Sequence, residues 1–260
     1  MKIIRHISSY WDFEQILVLK KYGIDVQKGN QSFTMDEDDR YYSLEKKFIE
    51  WDVINTRGFI FSSQEILSSK TCMIHGWHEC GYPMPDGNNG YLELTYDGTY
   101  CPHCLSGLIQ KNTFRIKKVP KKELWGLNWV FDELFVSRTL YESLFAPLSI
   151  GCREVRSYAS NEVIDSVVQL EIPIMEEQLN MMSCDYTICT KCGNKKFSAK
   201  DNGFFPSYAT DLHYHICKTR ELFGDGGICF RRIMVSSYLR DELIKRKILK
   251  LHNFTPCKPL

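Results

Sequence analysis

The chain has no apolar run approaching the roughly 20 residues that a membrane-spanning helix needs, so a bilayer is not among its expected partners. Its first residues, Met1-Lys2-Ile3-Ile4-Arg5-His6-Ile7, hold no apolar core of signal-peptide length, and the expected location is the cytoplasm. An excess of charge is missing too. With 33 Lys and Arg against 32 Asp and Glu, the net charge is +1 and no long-range field draws in a polyanion. Nucleic acid is therefore not the expected ligand.

Catalytic constellations are equally scarce. His213-Tyr214-His215 would align its imidazoles only on a strand, and no thiol stands with a base and an orienting partner. Gly224-Asp225-Gly226-Gly227 lacks a following helix pattern that would cradle phosphate. The expectation is a protein that is not an enzyme.

What the chain does hold is cysteine, 11 in all. An odd number without an export signal suits reduced thiols and metal ligands better than a disulfide framework. Cys101-Pro102-His103-Cys104 and Cys189-Thr190-Lys191-Cys192-Gly193 each have the spacing that turns both sulfurs toward one ion. Their union predicts one structural Zn²⁺ bound by Cys101, Cys104, Cys189 and Cys192, with no vacant position for water. The competing arrangement is two sites. One would join the first pair to members of Cys72-Met73-Ile74-His75-Gly76-Trp77-His78-Glu79-Cys80, the other would join the second pair to two of Cys184, His213, His215 and Cys217. That Cys72, His75, His78 and Cys80 cluster could also bind a metal alone. A zinc deaminase pattern is excluded: Glu79 directly follows His78, and Tyr100 rather than proline precedes Cys101.

Local patterns predict an α+β fold. Residues 9 to 22 read as a helix closed by Gly23, residues 27 to 40 as a solvated loop, and Phe59-Ile60-Phe61 as a short buried strand. Ser62 and Glu65 form a capping-box pattern. The Gly, Pro and Asn cluster over residues 81 to 90 marks the main boundary, dividing an N-terminal α/β region, 1–87, from a double-CxxC domain, 88–260.

Inside that domain Tyr91 to Tyr96 alternates like a half-buried strand entering the first cysteine pair, and Thr113-Phe114-Arg115-Ile116 returns from it. Tyr186-Thr187-Ile188 and Lys195-Lys196-Phe197-Ser198 flank the second in the same way. Downstream, the run from Phe131 through Val136-Ser137 to Leu140 is echoed by the run from Phe230 through Val235-Ser236 to Leu239, each a strand, a serine N-cap and a helix. Further strands are predicted near Arg153-Glu154-Val155 and His252-Asn253-Phe254. The pattern implies two versions of one cysteine pair, strand, helix, strand unit, at about 88–180 and 181–260, with Val163 to Ile174 as a strand bridging them and a zinc-ribbon-like site joining them.

The two cysteine pairs, Thr219-Arg220-Glu221-Leu222-Phe223-Gly224, Ile233-Met234-Val235-Ser236 and Phe254-Thr255-Pro256 resemble the bacterial double-CxxCG motif family over roughly Gly81 to Cys257. The resemblance implies zinc binding and, for some members, immunity proteins of polymorphic and contact-dependent toxin systems, whose partner is a cognate protein toxin. Leu105 departs from the pattern, standing after Cys104 where glycine is expected, so a different first turn is anticipated. The alternative function is a zinc-ribbon scaffold that binds nucleic acid or regulates, with Lys117-Lys118, Lys121-Lys122 and Lys245-Arg246-Lys247 as its basic patches.

Overall fold

Alternation of apolar and polar residues builds the first sheet. In the computed structural model, which describes residues 1–182, 184–198, 203–210 and 212–258, β1 (Lys2–Trp11) lies between β2 (Gly29–Asp36) and β3 (Ile54–Ile60), antiparallel to both. Helices α1 (Phe13–Lys21) and α2 (Asp39–Glu50) connect the strands. On α2, Tyr41, Leu44 and Phe48 are buried at helical spacing, and they join Ile7, Trp11 and Leu19 in one core. These elements make a compact unit, Met1–Glu65 with Gly203; the other described residues, from Ile66 on, make a second unit. The boundary thus falls at Glu65 and not at Gly87.

Several local expectations change here. Ser9 to Trp11 finish β1 instead of starting a helix, and α1 begins after Asp12, whose carboxylate accepts from the Gln15 amide. The segment expected to be a solvated loop contains β2, whose signal was the Phe33 and Met35 alternation within a polar run. Phe59 and Ile60 end β3 with Ile60 exposed, so that strand is longer and less buried than its apolar triplet suggested. The acidic run Asp36 to Asp39 holds no metal cluster among the described residues; Asp38 caps α2.

Glu37 carries an enclosed carboxylate. Its side chain is 6 % exposed and accepts from Arg5 Nε at 2.6 Å, Arg57 Nη2 at 2.8 Å and Tyr42 OH at 3.1 Å. Burial raises its pKa, but the two guanidinium donors outweigh burial and hold the carboxyl below its ordinary value. A lowered folded-state pKa means that the stabilisation is complete above the unfolded pKa, about 4.3, and is lost as pH falls through and below it. Glu37→Gln is expected to cost about 1–3 kcal/mol at neutral pH. It should also flatten the acid limb of unit 1 stability, read by hydrogen exchange of β1 amides against pH.

At the start of helix α3 (Ser63–Ser68) the capping box is present: Ser62 N donates to Glu65 Oε2 at 2.8 Å and Glu65 N to Ser62 Oγ at 3.2 Å. The second unit continues with β4 (Thr71–Ile74), β5 (His78–Glu79), α4 (Gly90–Thr95), β6 (Arg115–Ile116), β7 (Leu124–Gly126) and β8 (Phe135–Ser137). Helix α5 (Arg138–Leu140) runs on as a wider turn over Tyr141–Phe145 before β9 (Gly151–Ser157) and β10 (Val163–Glu171). There follow the hairpin β11 (Tyr186–Ile188) and β12 (Lys195–Phe197), then β13 (Ile216–Lys218), β14 (Ile233–Ser236), α6 (Ser237–Lys245) and β15 (Phe254–Pro256).

These strands form a six-stranded sheet, β5-β7-β8-β10-β9-β6, and a four-stranded sheet, β13-β14-β4-β15. The fold is α+β, as expected. Within the first sheet β7-β8-β10-β9 are antiparallel neighbours, and β13-β14-β4-β15 repeat that pattern. In both, a serine ends the second strand and caps a helix: Ser137 Oγ accepts from Leu140 N at 3.1 Å and Ser236 Oγ from Leu239 N at 3.3 Å.

Three expectations fail in this unit. Val163 to Glu171 does not bridge two halves; β10 is an internal strand of the six-stranded sheet, buried from Val167 through Leu170. Tyr91 to Thr95 forms α4 and not a strand, because Tyr91, Leu92 and Thr95 share one buried helical face. The first cysteine pair therefore follows a helix, while the second lies in a true hairpin. Residues 81 to 90 are not a boundary: Pro83 and Met84 are buried, and Met84 N donates to Arg115 O at 2.9 Å. Among the described residues no helix is long and apolar enough to cross a membrane.

Candidate metal centre

Each Cys-x-x-Cys segment folds into the same short knuckle. In the first, Leu105 N donates to Cys101 O at 2.7 Å and Cys101 N to Ser106 O at 2.8 Å. In the second, Gly193 N donates to Cys189 O at 2.9 Å and Cys189 N to Asn194 O at 3.0 Å. The turn needs a left-handed residue after its second cysteine. Gly193 supplies it at φ 74°, and Leu105 adopts φ 59° there despite its Cβ. The first turn therefore keeps the geometry of the second, contrary to the departure anticipated from Leu105. Packing helps explain this, since the Leu105 side chain lies against the Tyr91, Leu92 and Phe114 core.

The knuckles meet face to face. The sulfurs of Cys101, Cys104, Cys189 and Cys192 all lie within 4.8 Å of one another, and Cys104 Sγ is 3.7 Å from Cys192 Sγ. Tetrahedral thiolate coordination with metal–sulfur bonds near 2.3 Å has sulfur–sulfur edges of about 3.8 Å. The donor set thus has the chemistry and the spacing of a closed four-sulfur site.

Electrostatics separates three of these thiols. Burial raises the Cys101 pKa, but amide donation from His103 and Cys104 outweighs it and the thiol lies below its ordinary value. Cys189 receives the amides of Cys192 and Lys191 and faces His103 Nδ1 at 3.5 Å; its pKa comes down to about 5. Cys104 is pushed up by burial, and its sulfur faces the other three. Four sulfurs this close do not ionise together without a cation among them, because each new thiolate is repelled by the last.

Cys229 was not among the expected site residues. It is buried against Cys104 and Cys189 while remaining outside the four-sulfur group. Only the tertiary fold brings it there, since nothing in its local spacing marks it.

The rival sites do not assemble among the described residues, where the four cysteines are the sole metal-like group. Cys72 and Cys80 separate because β4 and β5 enter different sheets. Cys72 sits beside Arg240, while Cys80 N bonds Gly126 O at 2.9 Å on the edge of the six-stranded sheet. In the other candidate set, Cys217 is a core residue whose pKa burial pushes up to about 12. His215 Nδ1 faces Ser236 Oγ at 3.0 Å and its ring packs on Tyr238, a structural placement.

A second group of buried ionic side chains lies apart from the thiols. Lys218 Nζ approaches Glu133 Oε1 to 2.5 Å, and Gln169 Nε2 reaches Glu133 Oε2 at 3.1 Å and Gln110 Oε1 at 2.7 Å. Burial raises the Glu133 pKa, opposed by Lys218. This network ties β13 of one sheet to β10 of the other through satisfied partners, which suits positioning of the two sheets rather than chemistry. No family model matches the chain, and no curated protein matches it either.

Proposed function

We propose that Cys101, Cys104, Cys189 and Cys192 hold one structural Zn²⁺, and that the protein is an immunity protein that neutralises a cognate toxin by binding it directly. The observation that supports the metal is the closed group of four thiols on two matching knuckles. Bound there, zinc would cross-link the chain across the span between the knuckles; four sulfurs leave it no open position for a reacting water. The immunity reading rests on the double-CxxCG resemblance.

The same unit supports an internal duplication. The strand order repeats with β4 standing in the second sheet where β10 stands in the first. Residues at equivalent positions also touch each other: Cys104 with Cys192, Ser106 with Asn194, and Phe131 with Phe230 at 5.3 Å between ring centroids. Self-contact of equivalent residues is what a two-fold relation between copies produces. In this reading the ion lies near that pseudo-axis and clamps the copies, leaving their outer surfaces to bind.

Two measurements test the proposal. Elemental analysis of purified protein is expected to give about one zinc per chain; fewer than about 0.2, or iron in its place, overturns the metal assignment. Co-expression with a toxin-like product of the neighbouring reading frame is expected to restore growth and yield a stable complex. If the protein neither rescues growth nor co-purifies, immunity is overturned while the zinc assignment stands.

A further inference from the structure

We propose that a lysine-rimmed cleft of the second unit is the docking site for an acidic segment of a partner protein carrying one bulky apolar side chain. This rests on the reading of the chain as a binding protein and names the surface it would use. The cleft has a volume of about 530 Å³ and lies between the segment from His78 to Asp86 and the segment from Ile116 to Lys122. Volumes of roughly 300–1,000 Å³ are those in which proteins hold a ligand.

The lining divides by chemistry. Met84, Ile116 and Leu127, all almost wholly buried, form an apolar floor. Lys117, Lys118, Lys121 and Lys122 stand exposed on the rim. Lys117 Nζ bonds Asp86 Oδ2 at 3.2 Å, whereas the other three make no ion pair among the described residues. The whole chain is almost neutral, at +1, so this concentration of positive charge is local. Rigid backbone holds the walls: Met84 N donates to Arg115 O at 2.9 Å, and Asn128 donates to Gly81 O through both its amide and its side chain.

Lysine ammonium groups on flexible stems act as mobile point charges that can pair with carboxylates at irregular spacing. An apolar floor beneath them adds a pocket for an anchor side chain. A nucleic-acid track would call for open aromatic faces along the basic rim. Tyr82 is the one Phe, Tyr or Trp lining the cleft; with Trp129, 4.5 Å away between ring centroids, it makes a single exposed aromatic pair and not a row of faces along the lysines. An acidic protein segment is therefore the occupant that the lining fits.

The test uses the full, metal-loaded chain and a fluorescein-labelled peptide, Glu-Asp-Glu-Leu-Phe-Glu-Asp, followed by anisotropy at low salt. The variant K118E/K121E/K122E is expected to weaken binding about tenfold or more. K20E/K21E/K245E carries the same charge change elsewhere and should weaken it less than about twofold. Replacing Leu-Phe by Ser-Ser in the peptide should cost about fivefold or more. Equal losses in both triple variants, no saturation by about 1 mM peptide, or tighter binding of a single-stranded oligonucleotide through the same lysines would each overturn the proposal. Thermal melting and zinc content confirm that each variant is folded. A cognate partner that still co-purifies with K118E/K121E/K122E also overturns the cleft, yet leaves the binding-protein reading intact. Peptide bound at the cleft, with no partner found by co-expression, overturns only the immunity reading.

Discussion

Cys104→Ser is expected to release the proposed zinc and unfold the second unit at room temperature. Cys104 is fully buried at the meeting point of the knuckles, so its loss removes a ligand where water cannot readily substitute. Apparent metal-binding free energies in four-ligand zinc domains are on the order of 10 kcal/mol or more. The net stability of a whole domain is only about 5–15 kcal/mol, so losing that contribution removes the folded state's margin. On the zinc proposal, treating the native protein with a high-affinity chelator should have the same result. Near-ultraviolet circular dichroism would show lost packing around Trp125, which stacks on Phe135 at 4.8 Å in the core beside the first knuckle. Cys192→Ser should be milder, because Cys192 is exposed and a water can complete the coordination there. A metal-free protein that keeps the native spectrum and melting temperature would sink the clamp role.

The second large effect is expected at Arg240. This arginine of α6 is 1 % exposed, and its Nη1 donates to the carbonyls of Ile66 and Ser69 at 2.6 Å each while Nη2 donates to that of Leu67 at 2.9 Å. Its Nε pairs with Asp241 at 2.8 Å. One planar guanidinium thus satisfies the carbonyls at the end of α3 and ties α6 to the segment leading into β4. Arg240→Ala is expected to cost about 3–5 kcal/mol, since the change opens a cavity at a buried side chain and takes the donors away from three carbonyls. At about 2–4 °C per kcal/mol for a domain of this size, the melting temperature should fall by on the order of 10 °C. Arg240→Lys should recover part of it, because one ammonium cannot reach all three carbonyls. A fall below about 1 kcal/mol in both variants would show that water replaces the guanidinium there.

The order of these effects follows the physics of the two sites. The proposed metal site would concentrate its free energy in four bonds made only in the folded chain, whereas Arg240 replaces water on groups that were already solvated when unfolded. Arg240 acts on the four-stranded sheet, since β4 lies between β14 and β15 and the chain from Ile66 to Thr71 feeds it. A destabilised β4 would leave the four-stranded sheet without its second-from-edge strand.

What could be read from the residues was whatever is encoded locally. Cys-x-x-Cys spacing confines both sulfurs to one turn, so Cys101, Cys104, Cys189 and Cys192 were legible as one candidate group before any fold was known. The serine caps at Ser137 and Ser236, the Ser62 and Glu65 capping box and the β11-β12 hairpin were legible for the same reason. Expectations failed where two periodicities were both compatible with the residues. Tyr91 to Tyr96 alternates and also offers a helical face, and only the core that receives Tyr91, Leu92 and Thr95 chooses the helix. β2 is polar enough to pass for a loop until β1 supplies its hydrogen-bonding partner.

The chain by itself determined the α+β class, the pair of knuckles and the strand, cap, helix order that occurs twice. Tertiary structure alone decided which segment completes each sheet. β10 closes the first from its own neighbourhood, but β4 closes the second from far upstream, and no local propensity carries that information. It also decided that the four thiols share one place while Cys72 and Cys80 part, because strand pairing over long separations sets where each short turn points.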